Sequence, residues 1–251
     1  MPPGSKDCEP PPEAPPSSST EDLKYMALAH ASKVALPLRF EVLPQWLKRL
    51  GYSTHMIGKW HLGFDSFEYT PTGRGFDTFF GYYNGDEFYY NHTSVQEGHC
   101  GLDFWHNIGN RTQVITDLNG TYSTHAYTDE AKRIIASHNN EEVSSSCALE
   151  VMDRSIGEVL VALQSRGMLA DSIVAFVSDN GGAPLKGVPA ANSGSNWPLR
   201  GAKSSVWEGG MRTPAVFWYG RLSGRLPQPP LHRIVHIVDW APTFYAAAES
   251  Q

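Results

Sequence analysis

Residues 51–63 read GYSTHMIGKWHLG and set Lys59 and His61 two positions apart between glycines. A cation and an imidazole on one short loop suit an anionic ester, because one neutralises charge while the other gives or takes a proton. If residues 53–57 form a strand, Gly58 breaks it and lets the backbone approach another group closely. Lys59 and His61 then project from the loop that follows. The same spacing also fits a plain glycine turn with a snorkelling lysine and a surface histidine.

Two further stretches carry chemistry. SIVAFVSDNGG, residues 172–182, is an apolar strand running into Asp179 and Asn180 and then two glycines. Adjacent carboxylate and amide oxygens suit a hard divalent cation, and in an α/β sheet sites form beyond the carboxyl ends of strands. The string D-N-G-G is equally a good turn. GSNWPLRGAKSSVWEGGMRTP, residues 194–214, is a glycine-punctuated loop carrying Arg200, Lys203 and Arg212, with Glu208 available to pair with one of them. Read alone, it is also an ordinary structural loop with solvated charges.

Together the three stretches resemble the sulfatase family, and the variant is similar to the arylsulfatase B, I and J branch. The first matches G-Y-x-(S/T)-x-x-(I/V)-G-K-W-H-L-G, the second S-D-N-G-G, the third S-N-W-P-L-R-G-x-K-x-x-x-W-E-G-G-x-R, in the family's order. The resemblance implies a calcium-dependent sulfuric ester hydrolase acting on aryl or glycosaminoglycan sulfates. It makes Lys59 and Lys203 sulfate-binding residues, His61 a catalytic residue at the ester or the nucleophile, and Asp179 and Asn180 ligands of one Ca²⁺. Glu208, Gly209 and Gly210 become structural, and HRIVHIVDWAPT, residues 232–243, makes His232, His236 and Asp239 scaffold. The implied partner is a sulfated small molecule or glycan, and the implied location is lysosomal or secreted.

The family's nucleophile is a formylglycine made from the cysteine of C-x-P-x-R, and no such string occurs. Cys8-Glu9-Pro10 gives C-x-P with proline where arginine belongs. The resemblance further implies that the paired aspartates of the first strand, a histidine-bearing core segment and a C-terminal subdomain are missing. HNNEEVSSSC, residues 138–147, fills the place of that core segment, and His138 is no convincing substitute for its histidine. Cys100 matches one half of a local family disulfide, with no cysteine at residues 91–95 to complete it. A catalytically dead homologue with a binding or regulatory role is therefore the alternative reading. A Ser/Thr-dependent phosphatase of the wider alkaline-phosphatase-like group fits the W-P-L-R-G and G-K-W-H-L-G strings less well.

The elements that must hold these residues follow from periodicity. Leu43, Trp46, Leu47 and Leu50 share a helix face ending before Gly51, and residues 51–57 suit a strand. Residues 64–120 read as loops and short strands, and residues 122–137 as a helix. Leu149, Met152, Ile156, Leu160 and Leu163 mark a helix over 149–164. Residues 172–177 read as a buried parallel strand, 214–219 as another strand and 240–248 as a final helix. Alternating helix and apolar strand predicts an α/β fold with a central, largely parallel sheet, incomplete in the resemblance. Residues 1–35 read as a disordered Pro/Ser-rich tail, and 36–251 as a partial catalytic domain.

A chain of 251 residues is long enough for a sizeable core. The net charge of −6 argues against nucleic acid, since phosphate binding needs a basic surface. No stretch reaches the roughly 18 apolar residues of a membrane helix. Three cysteines without C-x-x-C leave at least one thiol unpaired within the chain and give no zinc site. Sequons at Asn91, Asn110 and Asn119 favour a secretory protein, whereas the first 20 residues lack the apolar core of a signal peptide.

Overall fold

The computed structural model describes residues 35–96, 99–137, 148–184, 194–222 and 234–249. The predicted tail through residue 34, the segment 138–147 with His138, and His232 lie outside them. The chain divides into two compact units, residues 1–162 with 233–251, and residues 163–232.

In the first unit, α1 (Leu43–Arg49) starts where the Gln45 side chain accepts the Val42 N–H at 2.9 Å. Six strands follow: β1 (His55–Lys59), β2 (Thr78–Tyr82), β3 (Thr93–Gln96), β4 (His99–Leu102), β5 (Trp105–Ile108) and β6 (Arg111–Val114). β1, β2, β5 and β6 form one sheet in that order, while β3 and β4 pair as a separate hairpin. β1 runs parallel to β2, and the other pairings are antiparallel.

Successive residues of β2 point to opposite faces, so Phe79 and Phe80 seed two cores. Phe79 joins Trp60 and Tyr83, while Phe80 joins Phe104 and Ala126 of α2 (Ser123–Ala136). A buried arginine, Arg74, ties the incoming chain down by donating to the carbonyl of Leu36 at 2.8 Å and to that of Phe40 at 2.5 Å.

α3 (Ala148–Ser165) matches the predicted helix. The last helix, α5 (Ile237–Glu249), begins three residues before the predicted start. Two polar side chains cap it there: Asp239 accepts the His236 N–H at 2.8 Å, and His236 Nδ1 accepts the Val238 N–H at 3.4 Å. His236 and Asp239 thus have scaffold work. α5 lies on α1, with Trp46 edge-on to Tyr245 at 6.1 Å.

The second unit holds β7 (Ile173–Val177), the single-turn α4 (Glu208–Met211) and β8 (Ala215–Tyr219). β7 does not sit in a parallel array. It pairs antiparallel with β8, from Ile173 opposite Tyr219 to Val177 opposite Ala215, and is half-buried. The loops after β7 bring the chain back beside it, and Ser178 donates to the carbonyl of Pro214 at 3.3 Å. A returning connection gives an antiparallel pair, whereas a parallel one needs a crossover. The α/β class stands; among the described residues β1–β2 is the parallel pair.

Candidate functional site

Lys59 is the last residue of β1, and His61 follows two residues on. Gly58 does not end the strand. It lies inside β1 at φ +103°, opposite Gly81 of β2. A Cβ on Gly81 would stand 2.1 Å from the Gly58 carbonyl oxygen, so the two backbones meet at a distance only glycine permits. The close approach expected at Gly58 is made at Gly81 instead: a Cβ on Gly58 would meet nothing within 4 Å, and what calls for glycine there is its φ.

Past the strand, pairing continues through the loop. Trp60 donates its N–H to Tyr82 O at 3.0 Å, and His61 donates its own to Tyr83 O at 2.9 Å. The Trp60 ring is buried, and its Nε1–H is shared between the carbonyls of Gly63 at 2.7 Å and Tyr69 at 3.0 Å. With Trp60 as anchor, Lys59 is exposed and His61 half-buried. His61 takes φ +52°, a left-handed conformation costing a non-glycine residue about 1–2 kcal/mol. Such strain persists where the surroundings over-determine it, as these hydrogen bonds do.

In the second unit Asp179 and Asn180 leave the end of β7. Asp179 is exposed. The Asn180 amide donates to Gly181 O at 2.9 Å, which leaves Oδ1 on its opposite edge as an acceptor. The next residues are held by a side chain the sequence reading passed over, Asn196. Its Oδ1 accepts the Gly182 N–H at 2.9 Å, and its Nδ2 donates to Gly182 O and Gly201 O, each at 3.0 Å. Gly182 O also accepts the Lys203 N–H at 3.0 Å. One amide thus joins the Asp179–Gly182 turn to the loop of Lys203.

Glycines complete that junction. A Cβ on Gly181 would lie 1.9 Å from Gly209 O, and one on Gly210 would lie 2.3 Å from Ala202 O. Gly181 donates to Gly210 O at 3.0 Å, and Gly209 donates to Arg200 O at 2.7 Å. Gly209 and Gly210 are therefore structural. Glu208 pairs with Arg212 at 2.8 Å, and the Arg200 guanidinium lies 3.6 Å from the Trp207 ring. Lys203 is exposed, and among the described residues its ammonium enters no ion pair. Ser204 beside it is left-handed at φ +71°. Among the described residues three non-glycine positions have such backbone, and two of them, His61 and Ser204, lie in the loops carrying Lys59 and Lys203.

The structure thus brings Asp179, Asn180 and Lys203 into one loop cluster of the second unit, and keeps Lys59 with His61 in the first. Calcium takes about six to eight oxygen ligands. Asp179 and Asn180 fit it in kind but not in number, and no group of three His, Cys, Asp or Glu suited to a metal occurs among the described residues. The residues present do not by themselves make a calcium site.

In the β3–β4 hairpin the residue opposite Cys100 is Val95, so the local disulfide has no second half there. Cys100 is disulfide-bonded nonetheless, and the other two cysteines, Cys8 and Cys147, lie outside the described residues. Of the three sequons, Asn110 and Asn119 are exposed, and Asn91 Oδ1 accepts the Thr93 hydroxyl at 2.8 Å. No helix among the described residues is long and apolar enough to cross a membrane.

These loops sit on a chain that matches the family model "Sulfatase" over residues 14–148 and 144–250. The chain belongs to the sulfatase family. It is 37% identical to arylsulfatase J of Mus musculus over 91% of its own length and 42% of that protein's. It is 28% identical to N-acetylgalactosamine-6-sulfatase of Mus musculus, with shares of 87% and 53%. The chain spans about half the length of the curated relatives it matches. The alignment with arylsulfatase J extends over 264 positions, more than the chain's own 251 residues, so that relative carries internal residues absent here. The family match likewise falls into two pieces that meet at residues 144–148. Among solved structures, the fold is similar to Ps i-CgsB in complex with k-i-k-neocarrahexaose: TM-score 0.69, 24% identity, 90% of this chain and 57% of that one.

Proposed function

We propose that this chain is the sulfate-contacting part of a sulfuric ester hydrolase acting on aryl or glycosaminoglycan sulfate esters. Lys59 and Lys203 bind sulfate oxygens, and His61 stands at the ester or the nucleophile. Asp179 and Asn180 would supply two oxygens to a Ca²⁺, a ligand set that is incomplete here. The observation that carries the reading is the Asn196 junction. It places an exposed carboxylate and an exposed lysine on two loops tied through Gly182. Fixed cations stabilise an anionic sulfate group and the charge that shifts as its ester bond breaks, and they act best when no reorganisation is needed. The relatives' names, arylsulfatase and N-acetylgalactosamine-6-sulfatase, supply the substrate classes. Entry into the secretory pathway, toward lysosome or exterior, agrees with the three sequons.

Formylglycine has no place to form here, because no C-x-P-x-R exists among the 251 residues. The chain supplies binding and not attack. That observation also favours the second reading, a homologue that binds sulfated ligands without turning them over. A chromogenic aryl sulfate tests this division of labour. The proposal expects this chain to bind it with Lys203 dependence and to release no phenol. Hydrolysis by this chain, abolished in Lys203→Ala, overturns the division of labour.

A further inference from the structure

Within the first unit, the chain leaving β2 carries a group of aromatic rings that the proposed function does not use. β1 and β2 are parallel, with Lys59 and Tyr82 paired in register at their ends. The residues after Tyr82 therefore set out from the strand end that carries Lys59 and His61. Burial, with the charges of Glu87, Tyr89 and Asp86, holds the Tyr82 phenol well above the usual range, which puts those three side chains in electrostatic reach of it.

The backbone of this segment is pinned. Phe88 donates to Thr93 O and His92 donates to Phe88 O, both at 2.8 Å. Tyr89 O accepts the Ser123 N–H at 2.9 Å and its hydroxyl at 3.0 Å, while Tyr90 O accepts the Gly120 N–H at 2.7 Å. Beneath lies a buried polar cluster in which Tyr127 donates to Glu87 at 2.5 Å, with His92 3.4 Å from the same carboxylate. On that fixed backbone Tyr89 is 60% exposed and Tyr90 61%. Both rings lean on Tyr122, at 5.7 Å and 5.3 Å between centroids. Asp86, which accepts from Ser94 at 3.3 Å, is exposed in the same segment.

Exposed rings carrying phenol hydroxyls, with a carboxylate in the same segment, match a ligand with one apolar face and a rim of hydroxyls. A pyranose ring has that form. The exposed Asp86 carboxylate favours an uncharged ring over a charged group in this segment, whereas a sulfate is served by Lys59. We infer that Tyr89, Tyr90 and Tyr122, with Asp86, form a subsite that stacks a pyranose of a sulfated glycan whose sulfate lies toward Lys59 and His61. The inference rests on the assignment of Lys59 and His61 to sulfate and, of the aryl and glycan esters proposed, selects the glycans.

The test compares inorganic sulfate with a monosulfated disaccharide by calorimetry on the full chain. Wild type should take the disaccharide more tightly than sulfate. Tyr89→Ala and Tyr90→Ala together should weaken the disaccharide about tenfold while sulfate binding holds. The Phe versions, which keep the rings, should retain most of the gain. If sulfate binds with full Lys59 dependence and the Ala pair takes the disaccharide as wild type does, the subsite is overturned alone. A wild type that binds neither ligand overturns the subsite and the sulfate assignment together.

Discussion

Replacing Asn196 by alanine should loosen the Lys203 loop without touching a charge. The substitution removes three hydrogen bonds, to Gly182 N–H, Gly182 O and Gly201 O. Each is worth about 0.5–1.5 kcal/mol net. The two at Gly182 are partly buried and the third is exposed, so the sum is about 2–3 kcal/mol, toward the lower half of the range. Local opening free energy is read by amide exchange, where that sum corresponds to about 30- to 150-fold faster exchange. The amides to follow are Gly182, which loses its acceptor, and Lys203, whose acceptor Gly182 O loses its second donor. Amides of the first unit, such as Trp60 and His61, should keep wild-type rates. Asn196→Asp should fall between, keeping the acceptor for Gly182 while losing both donors. Exchange at Gly182 and Lys203 within about threefold of wild type in Asn196→Ala would refute the claim that one amide holds these loops.

Three more predictions concern the first unit. Gly81→Ala puts a Cβ 2.1 Å from the Gly58 carbonyl oxygen and should cost about 3 kcal/mol; Gly58→Ala meets nothing within 4 Å and should cost only its φ strain, so a larger loss of Tm in Gly58→Ala would be wrong for this account. Burial pushes the Asp77 carboxyl upward, but the Lys48 ammonium and the N–H and hydroxyl of Thr54 outweigh it and hold the group below its usual value. A depressed folded value gives stability that is present above the unfolded pKa of about 3.9 and is lost as pH falls through the folded one. Denaturant melts between pH 6 and pH 2 should therefore show a shallower acid limb in Asp77→Asn. Burial and the neighbouring Glu87 hold the Tyr127 phenol far above its usual range, so its stabilising effect is complete below about pH 10 and is lost as pH rises further. In an alkaline absorbance titration Tyr127→Phe should remove a late step and leave the early ones.

Much of the scaffold was legible because it is local. Helix periodicity marked α2 and α3, and the apolar runs marked β7 and β8 nearly to the residue. What the pattern could not show was pairing, because an apolar run looks alike beside a parallel or an antiparallel neighbour, and β7 took the latter. Gly58 has the look of a strand terminator; it lies inside β1 at positive φ, and the residue whose missing side chain lets the strands close up is its partner Gly81, 23 residues away. Gly81 itself carried a signal, a glycine inside the strand string TFFGY. Asn196 was hidden for a similar reason: its partner Gly182 is 14 residues distant, and an asparagine between serine and tryptophan announces no target. The candidate lysines were readable as residue types, whereas the left-handed His61 and Ser204 beside them emerged only with the backbone.

The most direct test of the central claim is a calorimetric titration of the chain with inorganic sulfate, repeated on Lys203→Ala and Asn196→Ala. The account predicts saturable binding, weakened about tenfold or more when the Lys203 ammonium is removed and less when its loop is merely loosened. Binding that is absent, or that is indifferent to Lys203, would contradict it.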